Sequence, residues 1–440
     1  MTPRADADAD AAARALADSG VHTLLVQFTD IHGRPRGKLV PLARLASVLD
    51  PGAGFSGPSI WGTGLGRSGA ASEYFARGDL STLQPLPWQP GVARIVGDGH
   101  VAGVPFDACP RQVLRRALAR LAGRGLALDV GIEPEFFLLR RSAAGYVPAD
   151  DGDRLDKPSY DLRSLERQAG YLIELSQALA ACGLEVLQLD HEDAHGQYEL
   201  NFAHGPALAS ADRLQLFKLA AQALADARGL VASMMPKPFA GQPGSGMHFH
   251  VSLRPARTGS EGERTLGAFV AGLLAHAPAL AAIAAPTVNS YKRLRPGGSL
   301  TGSSWAPVWI AHGANNRSAL VRTLAGRIEW RLPDASANVY LALATLAAAG
   351  LDGIERDLDP GPARNDDLFE QPPAALAAAG IATLPTSLDA ALDALAADAV
   401  VAGALGATLC REYLALKRAE ADAYSRHVSG WELERYAEAF

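Results

Sequence analysis

Three short segments of this chain place ionic side chains two residues apart, with apolar residues or proline between them: Glu133-Pro134-Glu135, His248-Phe249-His250 and Arg327-Ile328-Glu329-Trp330-Arg331. Along a β-strand successive side chains point to opposite faces, so each segment sets its ionic groups on one side. The flanking residues are too apolar for a sheet face turned to water. Phe136, Phe137 and Leu138 follow the first segment, Val251 the second and Leu332 the third. The pattern predicts strands with one apolar face and one lined by carboxylate, imidazole and guanidinium. Such a face is a polar cavity, and its chemistry suits an anionic, metal-bound substrate.

A chain of 440 residues exceeds one ordinary core, which predicts two domains. Residues 6–18 read as a helix closed by Gly20. Strands are expected at 21–28 and around 38–40, joined by the turn residues Asp30-Ile31-His32-Gly33. Residues 50–100, rich in Gly, Pro and Trp, read as loop and short strand. Pro105 to Pro110 marks the boundary between a domain at 1–105 and one at 106–440. Beyond it a helix at 111–121 precedes alternating elements. Strands are expected at 126–139, 184–190, 197–202, 230–234, 247–253 and 326–332. Helices are expected at 162–181, 210–228, 265–284 and 337–356, with more after 372. Gly and Pro cluster at 238–246 and 295–303, the second long enough for a flap. The class is α+β, with a small β-rich N-terminal domain and a large domain holding the ionic strands.

A net charge of −6 gives no basis for capture of nucleic acid or an anionic membrane. Cys109, Cys182 and Cys410 are odd in number, far apart and in no CxxC pair, so neither disulfides nor a cysteine zinc site is expected. The first residues do not read as a signal peptide, and His276 and Asp352 interrupt the most apolar segments. A cytoplasmic protein is the expectation.

Glu133, Glu135, Glu192, Glu199, His248 and Glu329 are the candidate metal ligands. Five carboxylates and one imidazole suit a cluster of Mg²⁺ or Mn²⁺, whereas zinc recruits more His or Cys. Any one of these glutamates alone is more simply a solvated charge, and His248 alone a satisfied core histidine. All six on several strand-like segments make the cluster the stronger reading. Arg293, Arg317, Arg322, Arg327 and Arg331 crowd the same stretch as Glu329 and outnumber the acids adjacent in sequence. Arginine recognises carboxylate and phosphate bidentately, and metals with arginines are the apparatus of phosphoryl transfer.

The order and spacing of these motifs resemble the glutamine synthetase family over nearly the whole chain. The residues that carry the resemblance are Gly131-Ile132-Glu133-Pro134-Glu135-Phe136, His191-Glu192 with Gln197-Tyr198-Glu199, and Met235-Pro236-Lys237-Pro238. They continue with Gly244 to His250, Asn289 to Arg293, Asn316-Arg317-Ser318 and Arg327 to Asp334. The resemblance implies an N-terminal β-grasp domain and a catalytic domain with a curved antiparallel sheet flanked by helices. It puts one metal on Glu135, Glu192 and Glu199 and the other on Glu133, His248 and Glu329. His250, Arg317, Arg322 and Arg327 match nucleotide-phosphate contacts and Ser252 an adenine-side contact. Gly244, Arg293 and Arg331 match the glutamate pocket. The implied reaction is phosphorylation of the glutamate γ-carboxylate by ATP, then displacement of phosphate by an amine. The implied assembly is a dodecamer of two stacked hexamers with sites shared between subunits.

Two departures fall at the ammonium pocket. Ser56, in Phe55-Ser56-Gly57-Pro58-Ser59, replaces the acid of a loop the family contributes from a neighbouring subunit. Trp305, in Ser304-Trp305-Ala306-Pro307, replaces the flap glutamate. An indole face holds a cation best when that cation carries alkyl groups, so the expected acceptor shifts from ammonium to a small alkylamine, methylamine first. Trp305 and the C-terminal Trp431-Glu432-Leu433-Glu434-Arg435-Tyr436 resemble the branch containing γ-glutamylmethylamide synthetases and type III bacterial enzymes. Asp193 and Asp30 are the candidates to deprotonate the amine. Phe369 stands near the family's adenylylated tyrosine and has no hydroxyl to modify. Glutamine synthesis from ammonia, a non-catalytic scaffold or sensor, and a two-metal hydrolase are the competing readings.

Overall fold

The computed structural model describes residues 3–143, 145–255, 259–296 and 305–440. Two sheets organise them. The first holds β1 (Thr23–Thr29), β2 (Pro35–Pro41), β3 (Ala53–Ser56), β4 (Glu73–Pro85), β5 (Val92–Val101) and β6 (Val104–Pro105), in the order β2-β1-β5-β4-β3 with β6 on β5. β1 and β5 run parallel and the other pairs antiparallel. Leu24, Val26 and Phe28 alternate along β1 and pack with Tyr74, Ala76, Ala93 and Ile95 into a core of their own.

The second sheet has ten strands, among them β7 (Ala127–Ser142), β8 (Gly145–Pro148), β9 (Val186–His191), β10 (Gln197–Phe202), β11 (Gly205–Pro206) and β12 (Val231–Ser233). β13 (Met247–Arg254), β14 (Trp309–Ala314), β15 (Ala319–Leu324) and β16 (Arg327–Trp330) complete it, and the main order is β14-β15-β16-β13-β7-β10-β9. All pairs are antiparallel except β14 with β15. β7 pairs with β13 up to Pro134 and with β10 from Glu135 onward. Proline donates no ladder hydrogen bond, and Pro134 sits where the strand changes partners. One face of the sheet is covered by helices, among them Leu162–Ala181 and Ala207–Asp226, and the almost wholly buried Val339–Glu355 packs behind them against Gly259–Ala275. The backbones of these last two approach through glycines: a Cβ on Gly272 would lie 2.0 Å from the Ala349 carbonyl oxygen.

The sheets are joined by charge as well as by apolar packing. Arg111, on the helix Pro110–Ala122, reaches Asp79 and Asp98 of the first sheet at 2.9 Å each and Asp212 at 2.7 Å. The Tyr340 hydroxyl donates to the same Asp212 at 2.6 Å.

Most expected elements form, and the differences have local causes. Residues 50–100, read as loop and short strand, hold the long β4 and β5. Their pairing register breaks between Asp79 and Gln84, which interrupts the alternation a sequence reading relies on. The helix expected at 265–284 is two, Gly259–Ala275 and Ala277–Ala284, bent by 75° with Pro278 in the first turn of the second. β14 and β15 were not foreseen; His312 and Gly313 interrupt the apolar run of β14, and Arg322 and Thr323 that of β15. The flap expected at 295–303 lies outside the described residues from 297 onward. Among the described residues no single helix is long and apolar enough to cross a membrane.

Candidate active site

The registers set the ionic residues in rows across the strands. Asp190 of β9 stands opposite Glu199 of β10, which stands opposite Glu135 of β7. Glu133 of β7 faces His248 of β13, while His250 faces Glu329 of β16 and Glu329 faces Arg322 of β15. Like charges directly opposite destabilise a sheet. Three carboxyls abreast with no base between them therefore mark a place built for something other than packing.

The two trios differ in what surrounds them. His248 Nδ1 lies 3.4 Å from Glu329 Oε1 and 3.9 Å from Glu133 Oε2, and one ligand atom from each residue falls within 4.8 Å of the others. Arg322 donates to Glu329 at 2.7 Å and Arg331 donates to its other oxygen. Burial opposes ionisation of Glu329, but with His248 neutral the guanidinium groups of Arg331 and Arg322 still outweigh it and hold the carboxyl well below its ordinary range. Burial, with Arg331 nearby, keeps His248 well below its ordinary range and so neutral, the form that ligates a metal.

The second trio lacks that support. Burial, reinforced by neighbouring acids, pushes Glu192 up to about 8 and Glu199 up to about 10. Glu135 rises only to about 7, since burial is opposed there by the Gly246 N–H, Arg293 and Arg331. Gly246 donates to Glu135 at 2.9 Å and Gln197 at 2.7 Å, while Asn201 donates to Glu199 at 2.9 Å. A Cβ on Gly246 would come within 2.7 Å of His248 Nε2 and 2.9 Å of Glu135 Oε1, so glycine keeps the space between the trios open.

Both trios line one cavity of about 580 Å³, together with Gly244, Arg293, Arg317, Arg322, Arg331, Asp193 and Trp305. The arginine excess inferred from sequence adjacency is corrected here: the fold brings as many carboxylates as lysines and arginines to the lining. Arg293 is buried against the carbonyls of Leu332 at 3.1 Å and Arg331 at 3.3 Å. A second cavity of about 470 Å³ adjoins the first and shares Glu133 with it; His250, Ser252 and Arg327 line this one. His250 Nε2 is 2.9 Å from Glu133, and Arg327 donates to its Nδ1 at 3.3 Å.

Two sequence candidates lie elsewhere. Asp30 sits in the β1–β2 turn, where its carboxylate takes the N–H groups of His32 and Arg34 at 3.0 Å each and the Arg36 guanidinium at 2.8 Å. It lines neither cavity of its own chain. Ser56 lines a separate cavity beside β3 and β4. Phe369 packs edge-to-face on Trp309, ring centroids 4.9 Å apart. Sequence reading missed Asp190, Ser159 and Tyr160, all of which line the main cavity. Asp190 was accessible through the i, i+2 pattern Gln188–Asp190 on β9, whereas Ser159 and Tyr160 come from a loop without periodicity. Tyr160 has φ +64°, an outlier for a bulky residue of the kind found at functional sites.

These strands and cavities belong to a recognisable class: the chain is a member of the glutamine synthetase family, whose catalytic-domain model matches residues 107–436. It has the glutamine synthetase-like fold, with a TM-score of 0.90 to a GmaS/ADP complex at 39% identity, covering 97% of this chain and 99% of that one. Within the family it is 46% identical over 435 residues to the glutamate–methylamine ligase of Methyloversatilis universalis, covering 97% of this chain and 98% of that protein. Against a glutamine synthetase of Rhizobium leguminosarum bv. phaseoli the identity is 38% over 426 residues, covering 94% and 96%.

Proposed function

We propose that this chain is an ATP-dependent ligase that joins the γ-carboxylate of L-glutamate to methylamine, through a γ-glutamyl phosphate, to give γ-glutamylmethylamide. One contrast carries the reading. The cavity has the carboxylate, histidine and arginine set of metal-assisted phosphoryl transfer, yet its flap residue is the indole of Trp305 rather than an acid.

The donors fit two divalent ions, Mg²⁺ or Mn²⁺. Glu133, His248 and Glu329 already converge, and the raised carboxyls of Glu135, Glu192 and Glu199 are what a cation would relieve. Bound there, the ions neutralise charge on the transferring phosphoryl group. Gly244, Arg293 and Arg331 receive glutamate. His250, Ser252 and Arg327 hold the nucleotide in the adjoining cavity. Arg317 and Arg322 reach phosphoryl oxygens beside Glu329 and share their developing charge. Trp305 offers its ring face to methylammonium, and Asp193, next to it, is the nearer of the two candidate proton acceptors.

The same reading divides the chain at residues 105/106 and assembles it as a homo-oligomer, a dodecamer of two hexameric rings. Support comes from Ser56, whose loop stands away from its own chain's main cavity and is free to serve a neighbour's. Three buried, unpaired cysteines agree with a reducing cytoplasm. With ATP, Mg²⁺, glutamate and methylamine together the protein releases phosphate and one equivalent of γ-glutamylmethylamide, identified by mass. No turnover with any amine would leave the scaffold reading standing.

A further inference from the structure

Asn315 stands in the short segment that joins β14 to β15, with φ +50°, a left-handed backbone that asparagine tolerates better than most residues. Its neighbours hold that segment in place. The Ala314 N–H donates to Asn365 Oδ1 at 2.9 Å and the Asn315 N–H to the Thr323 carbonyl at 3.0 Å. The Asn316 side-chain amide donates to the carbonyls of Arg364 and Asp366 at 2.8 and 2.9 Å. This anchored turn sets Asn315 Oδ1 against Arg322, which donates to it from Nε at 2.9 Å and also from Nη2. Through Nη1 the same guanidinium donates to Glu329 at 2.7 Å. Three of its five N–H groups are thus engaged and two remain. Arg322 lines the main cavity, yet its side chain is only 14% exposed.

We propose that Asn315 is a positioning residue for phosphoryl transfer: it fixes the plane of the Arg322 guanidinium so that the two remaining N–H groups meet the phosphoryl oxygens. The inference rests on the phosphoryl role proposed for Arg322 and deepens it. Held by Glu329 alone, through one nitrogen, the guanidinium would pivot about that bond. An acceptor on its Nε edge stops the rotation. A donor that stabilises developing charge contributes most when its direction is set before the charge appears. The neutrality of the acceptor matters as well. A second carboxylate would neutralise the guanidinium within the protein, whereas an amide oxygen orients it and leaves its charge for the phosphoryl group.

The test is steady-state kinetics of the full-length enzyme with ATP, Mg²⁺, glutamate and methylamine. Asn315→Gly keeps the left-handed turn and removes the acceptor. It should lower kcat and the kcat/KM for ATP together by about tenfold, with the KM values for glutamate and methylamine and the Tm unchanged. Arg322→Lys keeps a charge but has no planar edge for Asn315 to grip, so in that background Asn315→Gly should cost no more than about twofold. Wild-type kinetics in Asn315→Gly would overturn the proposal. So would a loss of about tenfold in the Arg322→Lys background, because Asn315 would then act independently of Arg322. Wild-type kcat in Arg322→Lys would remove the phosphoryl role of the Arg322 guanidinium itself, a failure separate from that of the turn.

Discussion

Glu199 and Glu329 are the same residue type on two strands of one sheet, β10 and β16, and line one cavity, yet their acidities are shifted in opposite directions. Arginine makes the difference: Arg322 and Arg331 reach Glu329, whereas Glu199 meets Asn201 and other acids. A consequence follows for metal-free protein. Folded Glu135, Glu192 and Glu199 keep protons that the unfolded chain releases near the ordinary glutamate value of about 4.3. Their folded values are raised, so the stability they confer is present in acid and lost as pH rises through about 7 to about 10. Scanning fluorimetry should show Tm of the metal-free protein falling over this range and Mg²⁺ restoring more of it at pH 9 than at pH 6. A pH-independent gain from Mg²⁺ would contradict the assignment of this trio. Glu199→Gln should raise the metal-free Tm at pH 9 and lower kcat by about 10²-fold; loss of Tm with unchanged kcat would make Glu199 structural. Residues such as Glu133, Glu135, His248 and Glu329 were legible in the sequence because strand period 2 displays their common face. Ser159 and Tyr160 were not, because a loop has no period and only the fold carries it to the cavity.

Among the elements, the break between helices Gly259–Ala275 and Ala277–Ala284 turns on one side chain. His276 Nδ1 meets Asp398 at 2.6 Å and Nε2 meets Asp352 at 3.0 Å, so both ring nitrogens face carboxylates, one from the helix Val339–Glu355 and one from the junction between the helices Leu388–Ala397 and Ala399–Leu405. The hydrogen bond to Asp398, with that to Asp352, raises its pKa above the ordinary histidine value against the opposing effect of burial. A raised folded value confers stability that is complete below about pH 6.5 and disappears as pH climbs through the folded value. His276→Gln should therefore cost more stability in urea unfolding at pH 6 than at pH 9; equal losses would leave packing as its only role. The sequence showed His276 as an interruption of an apolar run, but the turn itself needed Pro278 and two partners from distant segments. Long β4 and β5 escaped for a related reason, since a register break hides alternation from a reader of one strand.

At the scale of the whole molecule, the two sheets depend on a shared buried cation. Arg111 holds Asp79, Asp98 and Asp212, and its side chain is only 3% exposed. Removing it takes the buried ion-pair partner from Asp212, while Arg115 still reaches Asp79 at 2.7 Å and Asp98 at 3.0 Å, so Arg111→Ala should destabilise the protein by about 3 kcal/mol. Equilibrium unfolding measures this, and a loss below 1 kcal/mol would show that apolar packing alone joins the sheets. The class of fold was legible from the order of the motifs, while this junction was not, because its partners are distant in sequence.

The central claim concerns the amine, and kcat/KM compared across ammonium, methylamine, ethylamine, ethanolamine and putrescine tests it most directly. The account predicts the highest value with methylamine, and a shift toward ammonium of about tenfold or more in Trp305→Glu. Ammonium as the best substrate of the unmodified enzyme would contradict it.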